Sequence, residues 1–233
     1  MSSHVPASPP PADAEPARRR RKEARPQELL DAALDLFVEK GFAATKIDDV
    51  AARAGVSKGT VYLYFPSKEE LLKAVIRHNL SLTIAQGDNI VSNFEGSTPD
   101  LMRLVTHTWW ERVGETQASG IFKLIITEVR NFPDLAEFYQ AEVIEPGHRL
   151  LAKLLQRGVD RGEFRVTNLL DTAHSFIFPM LMLALHKHSI GAFPCHITGE
   201  IAEDPRRFIS NHTELMLRGL APDPEDNRAR RTP

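Results

Sequence analysis

Residues 26–220 carry apolar side chains at helical spacing nearly throughout and show no convincing strand alternation. That pattern leaves room for an all-α fold and little else. In residues 26–40 one stripe runs through Leu29, Leu30, Ala33, Leu34, Phe37 and Val38, and Gly41 stands where a C-cap is expected. Thr45 is placed to cap a second helix whose inward positions are Ile47, Val50, Ala51 and Ala54, ended by Gly55. Ser57 caps a third helix, which Phe65-Pro66 terminates. Ser67, Lys68, Glu69 and Glu70 read as a capping box opening a helix to about residue 84 or beyond. Further helices are expected over 99–113, 116–132, 133–158, 167–188 and 204–220. Pro146 and Pro179 lie inside long patterns, so each is expected to kink or split its helix.

The expected organisation is a disordered arm over 1–22, a three-helix head over 23–72, a larger helical body over 73–220 and a loose tail over 221–233. Residues 1–17 are rich in Pro, Ala and Ser and cannot bury a core. The chain has one cysteine, Cys195, so no disulfide can form within it, and a reducing compartment is expected. The longest apolar run, 176–185, is too short to span a membrane and contains Pro179. The N-terminus lacks the apolar stretch of a signal peptide, so the cytoplasm is the expected location.

Net charge is −2, but its distribution is uneven: residues 18–80 hold 13 Lys/Arg against nine Asp/Glu, and residues 81–233 hold 16 against 20. A basic front and an acidic back point to a polyanion partner for the front alone. The run Arg18–Lys22 fits either an arm on phosphates or in the minor groove, or a solvated tail that adds non-specific affinity.

The front contains the elements of a helix-turn-helix. Ala51 is small where two helices would cross, Gly55 can take the left-handed conformation of a tight turn, and Val56 plugs the space behind it. On a wheel, Val61 and Phe65 face the core, Gly59, Thr60 and Leu63 face away, and Tyr62 and Tyr64 fall on the flanks. Small residues at the start let the backbone approach base edges, and phenols on the flanks can reach phosphates. The alternative is a helix whose tyrosines are simply core.

The stretch 26–76 resembles the DNA-binding domain of the TetR (tetracycline repressor-like) family of bacterial regulators. The likeness is carried by Gly41-Phe42, Thr45, Val50-Ala51, Ala54-Gly55-Val56, Ser57, Gly59-Thr60, Tyr62, Tyr64-Phe65, Lys68 and Leu71. It implies DNA contacts at Thr45, Lys58, Gly59, Thr60, Tyr62, Tyr64 and Lys68, with Lys46 and Ser57 beside them. Asp48 and Asp49 favour the start of their helix through its dipole but would repel a nearby phosphate, so Asp48 is not expected to touch the DNA backbone.

The resemblance further implies a homodimer on a palindromic operator and a body that binds a small hydrophobic ligand. Candidate ligand contacts are His107, Trp109, Trp110, Phe122, Ile125, His174, Phe176 and Met180, with ordinary core as the alternative. Candidate dimer contacts are Leu183, Phe208, Ile209, His212, Leu215 and Met216. His186, His188, Cys195 and His196 are of the right types for zinc but keep no fixed ligand spacing, and read as scattered surface residues. Neither a Gly-rich phosphate loop nor a nucleophile elbow is present, so neither an enzyme nor a cofactor is expected. A transcriptional activator of the same fold, or a helical ligand- or protein-binding module without specific DNA affinity, stays open beside the repressor.

Overall fold

A computed structural model describes residues 14–189, 191 and 204–222. Among these residues the chain is helical, without strands. The head consists of α1 (Ala14–Lys40), α2 (Ile47–Arg53) and α3 (Lys58–Tyr64). The long α4 starts as Lys68–Ile76, passes through a π-helical turn at Arg77–Ser81 and continues as Leu82–Asn93. Helix α5 is Thr98–Trp109 with a π-helical turn at Trp110–Gly114, and a 3-10 turn, Gln117–Ser119, leads into α6 (Gly120–Glu128). Helix α7 is Pro133–Tyr139 and Glu145–Asp160 joined by a π-helical turn at Gln140–Ile144, followed by α8 (Leu169–Lys187) and α9 (Pro205–Leu220).

Local chemistry explains most of the boundaries. Ser57 Oγ accepts from the Thr60 amide at 3.2 Å, and Ser67 Oγ accepts from the Glu70 amide at 3.1 Å. The second half of the expected capping box is missing, because the Glu70 carboxylate takes Lys73 instead. Asn168 and Asp204 cap α8 and α9 in the same way. Gly41 and Gly55 lie at φ +84° and +64°, the left-handed region their turns require. Thr45 does not cap α2: the N-cap position falls on Lys46, without a side-chain bond.

Helix α1 begins at Ala14 and runs through the Arg18–Lys22 segment, where composition had suggested a disordered arm. Arginine, lysine and alanine are good helix formers. The tail 223–233 lies outside the described residues. Neither proline splits its helix. Pro146 follows directly on the π-helical turn Gln140–Ile144, which loosens the preceding hydrogen-bond ladder, and α8 continues through Pro179.

Two cores hold these helices. The first gathers Leu29, Phe37, Val50, Val61, Leu71 and Val75 from the head and α4, and runs on into Ile121 and Leu124 of α6 and Val143 of α7. The head core therefore does not stop at residue 72. Its continuation leaves no space at Gly120, where an added Cβ would sit 2.5 Å from Val38 of α1. The second core joins Val91 at the end of α4 with Leu101, Leu154, Phe176, Met180 and Ile209 from α5, α7, α8 and α9. Helix α8 has the length and hydropathy of a membrane span, yet it turns Ala173, Phe176, Met180, Leu183 and Ala184 into the body.

Candidate nucleic-acid interface

The turn between α2 and α3 closes through the Val56 amide, which donates to Ala51 O at 2.9 Å. Val61 is fully buried and anchors α3 to the head. That anchor forces the opposite face outward: Ser57, Lys58, Gly59 and Tyr62 are exposed, and Leu63 is 79% exposed. Thr60 is half-buried, its hydroxyl 2.9 Å from Ser57 Oγ. Tyr64 is also half-buried and packs on the head core beside Phe65, so the two tyrosines divide, Tyr62 to solvent and Tyr64 inward.

Two expected contacts are engaged inside the protein. Thr45 is 1% exposed, and its hydroxyl donates to Gly41 O at 2.7 Å with Leu36 O at 3.1 Å, which ties it to the end of α1. Its side chain is thus a clasp within the head and presents no surface. Lys68 donates to the carbonyls of Phe42, Ala43 and Thr45 at 2.8, 3.3 and 3.1 Å, and its ammonium lies 4.4 Å above the Phe42 ring. This ammonium is committed to the α1–α2 turn.

Three other cations near the helix pair are matched. Lys40 meets Asp49 at 3.3 Å, Arg53 meets Glu39 at 2.9 Å and Lys58 meets Asp48 at 2.9 Å. The Asp48 carboxylate, by its hydrogen bond and then its charge, raises the Lys58 pKa. Lys46 is exposed and has no ion-pair partner among the described residues. The Asp48–Lys58 contact joins residues ten apart, and no local rule of sequence spacing announces it.

In the body six of the eight candidate ligand residues fall in the two cores, with Trp109 packed against both, and His107 and His174 lie outside them. Trp109 stacks on Phe122 at 6.1 Å, and Ile125 belongs with them to the first core. Trp110, Phe176 and Met180 are buried in the second, the Trp110 Nε1 without a partner. His107 is half-buried on α5. His174 lies edge-on to His148 at 4.7 Å and stacks on the exposed Phe178. A pocket of about 210 Å³ opens elsewhere, between head and body, over Phe42, Leu72, Phe132 and Leu135.

Of the candidate dimer residues, Leu183 and Ile209 are buried within the chain and present no surface. Phe208 and His212 stack on each other, and His212 Nε2 donates to Phe176 O at 2.8 Å. Met216 is half-buried, and Leu215 stands out. The outward apolar side chains are instead Leu170, Phe178 and Met182 of α8 with Leu215 of α9, each 53–69% exposed. Of the suggested metal group, Cys195 and His196 lie outside the described residues. His188 is hydrogen-bonded to Ser119, whose hydroxyl proton is given to Thr116 O, so the imidazole donates.

Comparison with known proteins agrees with this geometry. Residues 29–75 match the profile of bacterial regulatory proteins of the tetR family, and residues 95–189 match a tetracyclin repressor-like C-terminal domain. The HTH-type transcriptional repressor KstR2 of Rhodococcus jostii is 31% identical over 92% of this chain and 98% of its own. Among solved structures, FadR from Bacillus subtilis in complex with stearoyl-CoA superposes with a TM-score of 0.63 at 17% identity, covering 83% of this chain and 98% of that one. The ketosteroid transcriptional regulator KstR2 of Mycobacterium tuberculosis also reaches 0.63, at 19% identity, covering 85% and 96%. These relatives are regulators, not enzymes. The chain belongs to the TetR family of helix-turn-helix, DNA-binding transcriptional regulators.

Proposed function

We propose that the protein is a homodimeric transcriptional repressor that reads a palindromic operator with α3 and leaves it when an apolar effector binds the body. The observation that carries the reading is the outward face of α3, where Lys58, Gly59, Tyr62 and the largely exposed Leu63 surround a backbone with no bulky obstruction. Gly59 admits base edges, Leu63 suits a thymine methyl group, and Tyr62 and Lys46 lie where phosphates would pass.

Dimerisation is supported by the band of Leu170, Phe178, Met182 and Leu215, four large apolar side chains left in water on α8 and α9. A two-fold contact of this band with itself would pair two α3 helices for half-sites about 34 Å apart or a multiple of that. For the effector, a relative named for ketosteroids and one bound to stearoyl-CoA favour a large apolar molecule of the steroid or fatty-acyl class.

The decisive experiment is selection of bound duplexes from a random pool by the full-length protein, followed by titration of the selected duplex with stearoyl-CoA and with a ketosteroid. The reading expects an enriched palindrome and release by one of the two. Failure to enrich any sequence, from protein that is folded and dimeric, would sink it.

A further inference from the structure

The first turn of α2 carries two adjacent acids next to a surface that should meet a polyanion, and the structure gives them different partners. Asp49 reaches back to Lys40 at the end of α1, inside the head scaffold. Asp48 reaches across the turn to Lys58, at the first position of α3, with Nζ to Oδ2 2.9 Å. Both members of the second pair are more than half exposed, at 52% and 62%. Exposed pairs of this kind add little to folding. A helix start is served by the acid alone, wherever its side chain points. The reach to Lys58 therefore has its consequence in binding.

Lys58 is the one lysine on α3. In the unbound protein its ammonium already donates to a carboxylate, and any DNA acceptor must compete with that charge for it. A phosphate supplies one charge and one direction of approach. It must also come within reach of Asp48, which repels it. A guanine edge offers O6 and N7, uncharged acceptors that the carboxylate repels far less than a phosphate, and two acceptors together can replace the one that is given up. Lys46, without an ion-pair partner among the described residues, is left to meet the backbone.

We infer that Asp48 is a specificity-determining residue: its carboxylate holds Lys58 back from phosphates and yields it to base-edge acceptors, so it suppresses non-specific binding more than operator binding. This rests on the reading of α3 as the DNA-contacting helix. Asp48 acts through Lys58 and does not itself touch the operator.

The test uses full-length protein and two duplexes, the selected operator and a scrambled one, each titrated across a range of salt. Asp48→Asn keeps the shape and removes the charge. The expected result is tighter binding to the scrambled duplex and a salt slope steeper by about 0.9, the contribution of one added phosphate contact. Operator affinity changes less, so the ratio of the two affinities falls severalfold. Adding Lys58→Ala to Asp48→Asn should abolish the extra slope, because Lys58 is the charge that was released. Asp49→Asn, whose partner is Lys40, should leave the ratio unchanged. Asp48→Ser serves as a second variant, since serine also suits a helix start, and thermal melts of both establish that the head is intact.

If Asp48→Asn and Asp48→Ser leave both ratio and slope at wild-type values, the inference is overturned while the operator reading stands. If the extra slope survives Lys58→Ala, the released charge is not Lys58 and the inference is again overturned. Wild-type protein that prefers no duplex removes the operator reading and this inference together.

Discussion

Lys68 and Thr45 show what single residues do when their direction is set by tertiary contacts. Three carbonyls and an aromatic face surround the Lys68 ammonium. Replacing it with methionine keeps the length and strands those acceptors. The expected loss is about 1.5–3 kcal/mol in chemical denaturation, the scale of hydrogen bonds to a charged group. The salt dependence of DNA binding by that variant should stay near wild type, since the ammonium is not offered to phosphates. Thr45→Val removes the hydroxyl that closes the end of α1 and should cost about 1–2 kcal/mol in the same assay, with the α3 surface untouched. The family resemblance implied DNA contacts at both, since residue type and position are visible in a sequence and side-chain direction is not. Ser57 and Ser67 were legible as caps because a cap acts within three residues of itself. Asp48 was legible as an odd charge, but its partner was not.

The same distinction holds for elements. Helix starts and stops follow from local signals, and the Gly55 turn, the capped α3 and the Asp204 start of α9 appear where the sequence placed them. The π-helical turns were not legible, because they settle a conflict between a backbone ladder and packing on both sides of it. Helices α8 and α9 exposed a further limit. Each has an inward and an outward apolar stripe, and periodicity alone does not say which belongs to the subunit's own core. Leu183 and Ile209 proved to be inward, while Phe178, Met182 and Leu215 are outward. If the outward stripe of α8 joins two subunits, Phe178→Asp should convert the dimer to monomer in sedimentation and weaken operator binding together with it. A monomer that keeps full operator affinity would contradict that link. Because Phe178 is exposed in the single chain, the variant should keep wild-type helicity by circular dichroism, its melting temperature falling only by the stabilisation that association supplied.

Over the whole molecule, acid should loosen the body. Burial, and then the neighbouring His174, hold the His148 pKa below the ordinary 6.5. Burial, and then Lys187 and Lys123, do the same to His188, whose ring donates to Ser119 at the entry to α6. Between those lowered values and 6.5 the unfolded chain binds more protons than the folded one, so stability is full above about pH 6.5 and declines as pH falls below it. Melting temperatures taken from pH 8 to pH 5 should show this decline, and His188→Gln should flatten it. Helix α4 spans the two cores, with Leu71 and Val75 set in the first and Val91 in the second. At 1.5 Å per residue its three segments reach roughly 39 Å. Lys68 bolts its first turn to the α1–α2 corner. The helix is therefore an axle with the reading head keyed to one end, and a small tilt imposed where Val91 sits swings Leu63 through a wider arc.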